Sequence, residues 1–112
     1  MRRPSGPEEA LLTQVLALAR LTGWLTFHAR AGRTAHGWTT PLQGDGKGFP
    51  DLVLFHPRRA LLAFVELKSD VGCLTADQRR WLSALHGAFP GLRALVWRPS
   101  QWPDIECFLK GE

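Results

Sequence analysis

The chain has 112 residues, of which 45% are apolar and 21% charged, with a net charge of +4 and a pI near 9.8. That size allows one domain, residues 1–112, with a modest core. No apolar run reaches the roughly 20 residues of a membrane span, and the opening text Arg2-Arg3-Pro4-Ser5-Gly6-Pro7-Glu8-Glu9 is not a signal peptide, so a cytoplasmic location is expected. The basic balance suits a polyanionic partner. Cys73 and Cys107 have no metal-ligand spacing and read as free thiols.

Ser5-Gly6-Pro7-Glu8 carries the S-x-x-E capping-box pattern with Pro in the first turn, so a helix is predicted from residue 8 to about 21. Leu11, Leu12, Val15, Leu16, Leu18 and Ala19 give it a broad apolar face, and Gly23 ends it. Residues 24–28 (Trp-Leu-Thr-Phe-His) read as the first strand. Residues 29–47 read as a long loop rich in Gly, Thr, Arg and His. Loops of that length in a small domain are usually functional or disordered. Arg30, Arg33 and Lys47 are its candidate phosphate contacts, with Gly44, Gly46 and Gly48 allowing close backbone approach. His28 and His36 read as structural.

Two apolar strands follow, residues 51–56 and 61–68, joined by Pro57-Arg58-Arg59-Ala60. A two-residue loop at Arg58-Arg59 makes paired positions sum to 117, which sets Asp51 opposite Glu66. Facing residues of an antiparallel pair have Cβ atoms about 4.5–5.5 Å apart, and like charges there repel. Lys68, two residues on from Glu66, points to the same face. Two carboxylates and an ammonium therefore converge at one end of an apolar hairpin. A divalent cation relieves the repulsion, and oxygen ligands suit Mg²⁺ or Mn²⁺.

Residues 70–74 form a short loop. Thr75-Ala76-Asp77-Gln78 repeats the capping-box pattern and opens a helix to about residue 86, with Trp81, Leu82 and Leu85 inward. Gly87 and Pro90 stop it. Residues 92–97 read as the fourth strand, and the strand-helix-strand connection favours a parallel crossover from the third. Pro99-Ser100 opens a last helix to about residue 109. The sum is an α/β chain of order α-β-β-β-α-β, ending in a further helix.

Pro50-Asp51, fourteen residues, then Glu66-Leu67-Lys68 resembles the PD-(D/E)XK nuclease signature. Gly48-Phe49-Pro50-Asp51-Leu52 and the run from Gly72 through Leu74-Thr75 to Gln78 look like its VRR-NUC (virus-type replication-repair nuclease) branch. The resemblance implies a restriction-endonuclease-like fold with a four-stranded mixed sheet flanked by helices. It implies a Mg²⁺- or Mn²⁺-dependent phosphodiester endonuclease. Asp51, Glu66, Lys68 and Gln78 match its catalytic positions, and Asp51, Glu66, the Leu67 backbone carbonyl and Glu9 on the first helix match its metal ligands. Lys68 would position or deprotonate the attacking water, or stabilise the transition state. By analogy with stand-alone members, the expected substrate is branched DNA, a four-way junction above all, cut by a homodimer. Trp38 or Trp102 are candidates for a partner surface, whereas Trp24, Trp81 and Trp97 read as internal. A general or RNA-directed nuclease, or a non-catalytic DNA- or partner-binding module, stays open as an alternative.

Overall fold

The computed structural model describes residues 6–28, 32–34, 37–39 and 44–112. Helix α1 spans Pro7–Leu21, followed by strand β1, Leu25–His28. Strands β2 (Gly32–Thr34) and β3 (Gly37–Thr39) pair only with each other, antiparallel. The central hairpin is β4 (Leu52–His56) and β5 (Leu61–Leu67). Helix α2 (Ala76–Leu85), strand β6 (Leu92–Trp97), a 3₁₀ turn at Pro99–Gln101 and helix α3 (Trp102–Lys110) complete the chain. The main sheet has the order β1-β4-β5-β6, with β5 and β6 parallel and the other neighbours antiparallel. This is the four-stranded mixed sheet of a PD-(D/E)XK-type core.

The two faces of the sheet are covered unequally. Leu52, Leu54, Ala63, Val65 and Leu67 alternate along β4 and β5 and are buried in one core with Leu11, Val15 and Ala19 of α1 and Ile105 and Leu109 of α3. The opposite face carries α2, which packs along β6 and has no fully buried residue. Phe49 bridges that layer, meeting Phe64 of β5 and Trp81 of α2 edge-on at 5.9 and 4.9 Å between ring centroids. On the same face Leu25 and Phe27 of β1 and Phe55 of β4 stand exposed.

The far end of the hairpin is a stability cluster. Buried His56 is held by Arg59 N–H donating to its Nδ1 at 3.2 Å, which makes Nε2 the protonated nitrogen facing the Thr22 carbonyl at 2.9 Å. Trp24 meets His56 edge-on and donates its indole N–H to Leu109 O at 3.0 Å. The Arg59 guanidinium lies over Trp24 and bonds Phe108 O, so a cation meets the negative C-terminus of α3.

Four expectations change. The hairpin turn occupies residues 57–60, not two residues, because the last pair is His56↔Leu61. Pro57 and Ala60 also sum to 117, so the longer turn leaves the register intact. Helix α1 starts at Pro7 with Gly6 as N-cap and no side-chain cap bond, so Glu8 is not spent in a capping box. The long loop contains the β2–β3 hairpin. Trp102 is half-buried against the core, more enclosed than the surface position expected of it. Ser5, Arg30 and His36 lie outside the described residues.

Gly48 is the tightest joint between layers. Its φ is +82°, and a Cβ there would stand 2.5 Å from the Asp77 backbone carbon. Gly48→Ala is therefore expected to lose about 2 kcal/mol or more of unfolding free energy in urea titration. Gly44→Ala, at φ +65° with open space around it, should lose clearly less.

Candidate active site

The segment Gly48-Phe49-Pro50 brings Asp51 to the sheet end. Gly48 lies on the first turn of α2, Phe49 wedges between Phe64 and Trp81, and Pro50 is fully buried. Trp81 donates its indole N–H to Asp45 O at 2.8 Å, which ties the same segment to α2 again. Asp51 follows with little freedom left. Its Oδ2 accepts from Leu67 N–H at 2.9 Å.

Glu66 is only 3% exposed. The predicted register holds through Leu52↔Val65, and the next position brings Glu66 against Asp51. Burial first, then repulsion from Asp51 and a hydrogen bond shared with it, push the Glu66 carboxyl up to about 8. Lys68 works in the other direction, and Glu8 adds to the repulsion. Gln78 Nε2 donates to Glu66 Oε2 at 2.9 Å. The same amide accepts Thr75 N–H through Oε1 at 2.9 Å, while Thr75 Oγ1 accepts Gln78 N–H at 3.1 Å. Gln78 is at once the cap of α2 and the support of a carboxylate. Both carboxyls are oriented by neutral donors, and neutral donors do not cancel their charge.

These residues fit a hard divalent cation. Two carboxylates are forced together and only partly offset by one ammonium, beside the backbone carbonyl of Leu67. Among the described residues no three His, Cys, Asp or Glu side chains assemble as a metal-binding group. Glu9, the ligand expected from the first helix, therefore does not complete such a set. Its neighbour Glu8 is near enough to act on Glu66, and its Oε2 accepts Ser69 N–H at 3.2 Å. Glu8 lies three residues before Leu11 and seven before Val15, on the stripe that α1 buries, and this turns it to the sheet.

Arg98 was invisible to sequence reasoning. Its Nη1 donates to Ser69 O and Gly72 O, both at 2.7 Å, and fixes the turn after Lys68. Asp70 Oδ1 accepts Ser100 N–H at 2.9 Å, and that bond holds the Asp70 carboxyl below its usual range. No sequence pattern marks a clamp of this kind, because the partners are carbonyls 26 and 29 residues away. Lys47 stands exposed on the rim, 3.9 Å from Asp77. Arg33 lies on β2, paired with Trp38 of β3.

The VRR-NUC domain model matches residues 24–100, well over half of the chain. The chain belongs to the VRR-NUC family. It is thus a nuclease-type domain, and Asp51, Glu66, Lys68 and Gln78 all lie in the part that matches. Helix α1, with Glu8 and Glu9, precedes the match. No curated protein and no solved structure matches the chain.

The pH dependence follows from Glu66. Its folded value, about 8, lies above the ordinary 4.5, so between those values the folded state holds a proton that the unfolded state has lost. That contribution to stability is complete below about 4.5 and is lost as pH rises through about 8. The melting temperature of metal-free protein should fall over this window. Glu66→Gln should flatten the decline, and an equally steep decline in that variant would contradict the assignment.

Proposed function

We propose that this VRR-NUC domain is a Mg²⁺- or Mn²⁺-dependent DNA endonuclease that acts as a homodimer on branched DNA, four-way junctions above all. The observation that carries the catalytic part is the Asp51–Glu66 carboxyl pair, forced together beside Lys68 at the sheet end. Asp51, Glu66 and the Leu67 carbonyl would hold the cation. A bound divalent cation supplies a lowered water pKa and offsets charge growing on the phosphoryl oxygens.

The chain's own residues do the rest. Gln78 fixes the rotamer of Glu66, and Leu67 N–H fixes that of Asp51, so the carboxylates meet the scissile phosphate in one geometry. Lys68, on the Glu66 face, donates hydrogen bonds to the attacking water and to phosphoryl oxygen. Water attacks phosphorus and gives a proton to solvent, the bond from phosphorus to the leaving oxygen breaks, and that oxygen takes a proton from solvent to leave as a hydroxyl. Lys47 on the rim, with Arg30 and Arg33 in the preceding segment, would meet neighbouring phosphates.

Size and symmetry favour the branched substrate. One carboxyl pair cuts one strand, whereas resolving a near two-fold junction needs two paired nicks. A two-fold dimer supplies both. The exposed Leu25, Phe27 and Phe55 on the β1 edge support a partner surface.

Asp51→Asn should reduce cleavage of labelled DNA to background while DNA binding persists, and excess EDTA should do the same to the wild type. Lys68→Ala should lose about 10²–10³-fold in single-turnover rate with an unchanged melting curve. Full activity in any of these arms would contradict the site.

Substrate and assembly are tested together. Light scattering should give twice the mass of the chain, and a four-way junction should be cut in preference to its linear arms. A monomer, equal cutting of plain duplex, or preferential cutting of RNA would overturn this part.

A further inference from the structure

Residues 69–72 form a tight turn directly after Lys68, closed by Gly72 N–H donating to Ser69 O at 3.3 Å. Arg98 ties both ends, Ser100 N–H ties Asp70, and Glu8 ties Ser69. Gly72 lies against the Lys68 stem, since a Cβ there would stand 3.4 Å from Lys68 Cδ. The turn is thus fixed in position relative to the ammonium. At its tip Val71 is 89% exposed.

Nothing within the fold rewards that residue. Turn centres favour Gly, Asn, Asp, Ser or Pro, and a β-branched side chain is a poor choice there. Val71 also buries almost no surface. An apolar knob, unused by packing, is therefore held rigidly three residues from Lys68. Because Gly72 packs on the Lys68 stem, a phosphodiester held at Lys68 would have its own sugar and base close to this turn. Apolar side chains presented to DNA act as wedges between base steps, at a cost in unstacking. That cost is smallest where a base pair already borders a branch.

We propose that Val71 is the specificity-determining wedge of this nuclease, packing on the base pair at a branch point next to the cut phosphate. The inference rests on the nuclease reading above and deepens it. In continuous duplex the unstacking cost keeps the wedge out, so Val71 contributes little there. At a branch it fills the space beside the last pair and holds the adjoining phosphate at the carboxylates.

The test compares cleavage of a forked substrate with cleavage of the matching full duplex by wild type, Val71→Ser and Val71→Leu. The fork-to-duplex ratio should fall about tenfold in Val71→Ser, with unchanged duplex cutting and melting temperature. Val71→Leu should keep the ratio. In an Asp51→Asn background, 2-aminopurine in the last paired position of the fork should brighten on binding, and adding Val71→Ser should remove that rise. An unchanged ratio, or an equal loss on both substrates, overturns the wedge while leaving the nuclease standing. A wild-type chain that cuts no nucleic acid overturns both.

Discussion

The constraint on which the structure turns is the burial of Glu66 against Asp51 at the end of an apolar hairpin. A lone buried carboxylate can simply take up a proton, and the carboxyl held up to about 8 shows the protein leaning that way. The surroundings then act to keep the pair aligned. Leu67 N–H and the Gln78 amide orient the carboxyls, and the Gly48–Pro50 segment holds Asp51 against the sheet. Neither donor is charged, so the pair is oriented without a counter-charge, and below about 8 a proton held on Glu66 relieves the repulsion. Stability is given up at one end of the sheet to keep two carboxyls side by side.

That loss is offset at the other end. The His56, Trp24, Arg59 and Phe108 cluster joins the hairpin turn to α1 and α3 through stacked rings and fully partnered polar atoms. The buried side-chain polar atoms of the described residues all have partners. The hairpin is thus apolar along its length, anchored at its turn and charged at its open end.

The legible part of this design was what period 2 and pairing arithmetic control. Asp51, Glu66 and Lys68 fall on one face in any hairpin whose turn keeps the sum of 117, and the real four-residue turn keeps it as well as a two-residue one. Gln78 was legible because a capping box has a fixed spacing, and the side chain that caps is also the one that reaches Glu66. Glu8 precedes Leu11 and Val15 by three and seven residues, so it shares the stripe that α1 buries, although the capping-box pattern had given it another task. Arg98 and Val71 escaped for a different reason. One depends on carbonyls brought near by the fold, and the other is notable only because packing leaves it out.

The same periodicity links the active site to the exposed patch of the sheet. Val53 and Phe55 continue the face on which Asp51 stands, and their partners Phe64 and Leu62 continue that of Glu66. Leu25 and Phe27 pair with Phe55 and Val53, so they extend this face to the β1 edge. Helix α2 covers the β6 side, and among the described residues Leu25, Phe27 and Phe55 stay exposed on the β1 side. A body that covers Leu25, Phe27 and Phe55 must therefore approach from the side that holds the carboxyl pair. Contact there and access of a nucleic acid to Asp51 and Glu66 are geometrically coupled. Lys47 pairs with Asp77 at the start of α2, and the turn that carries Val71 packs on the Lys68 stem. A partner on the Leu25, Phe27 and Phe55 patch and a strand at the carboxyl pair would share one face of the sheet.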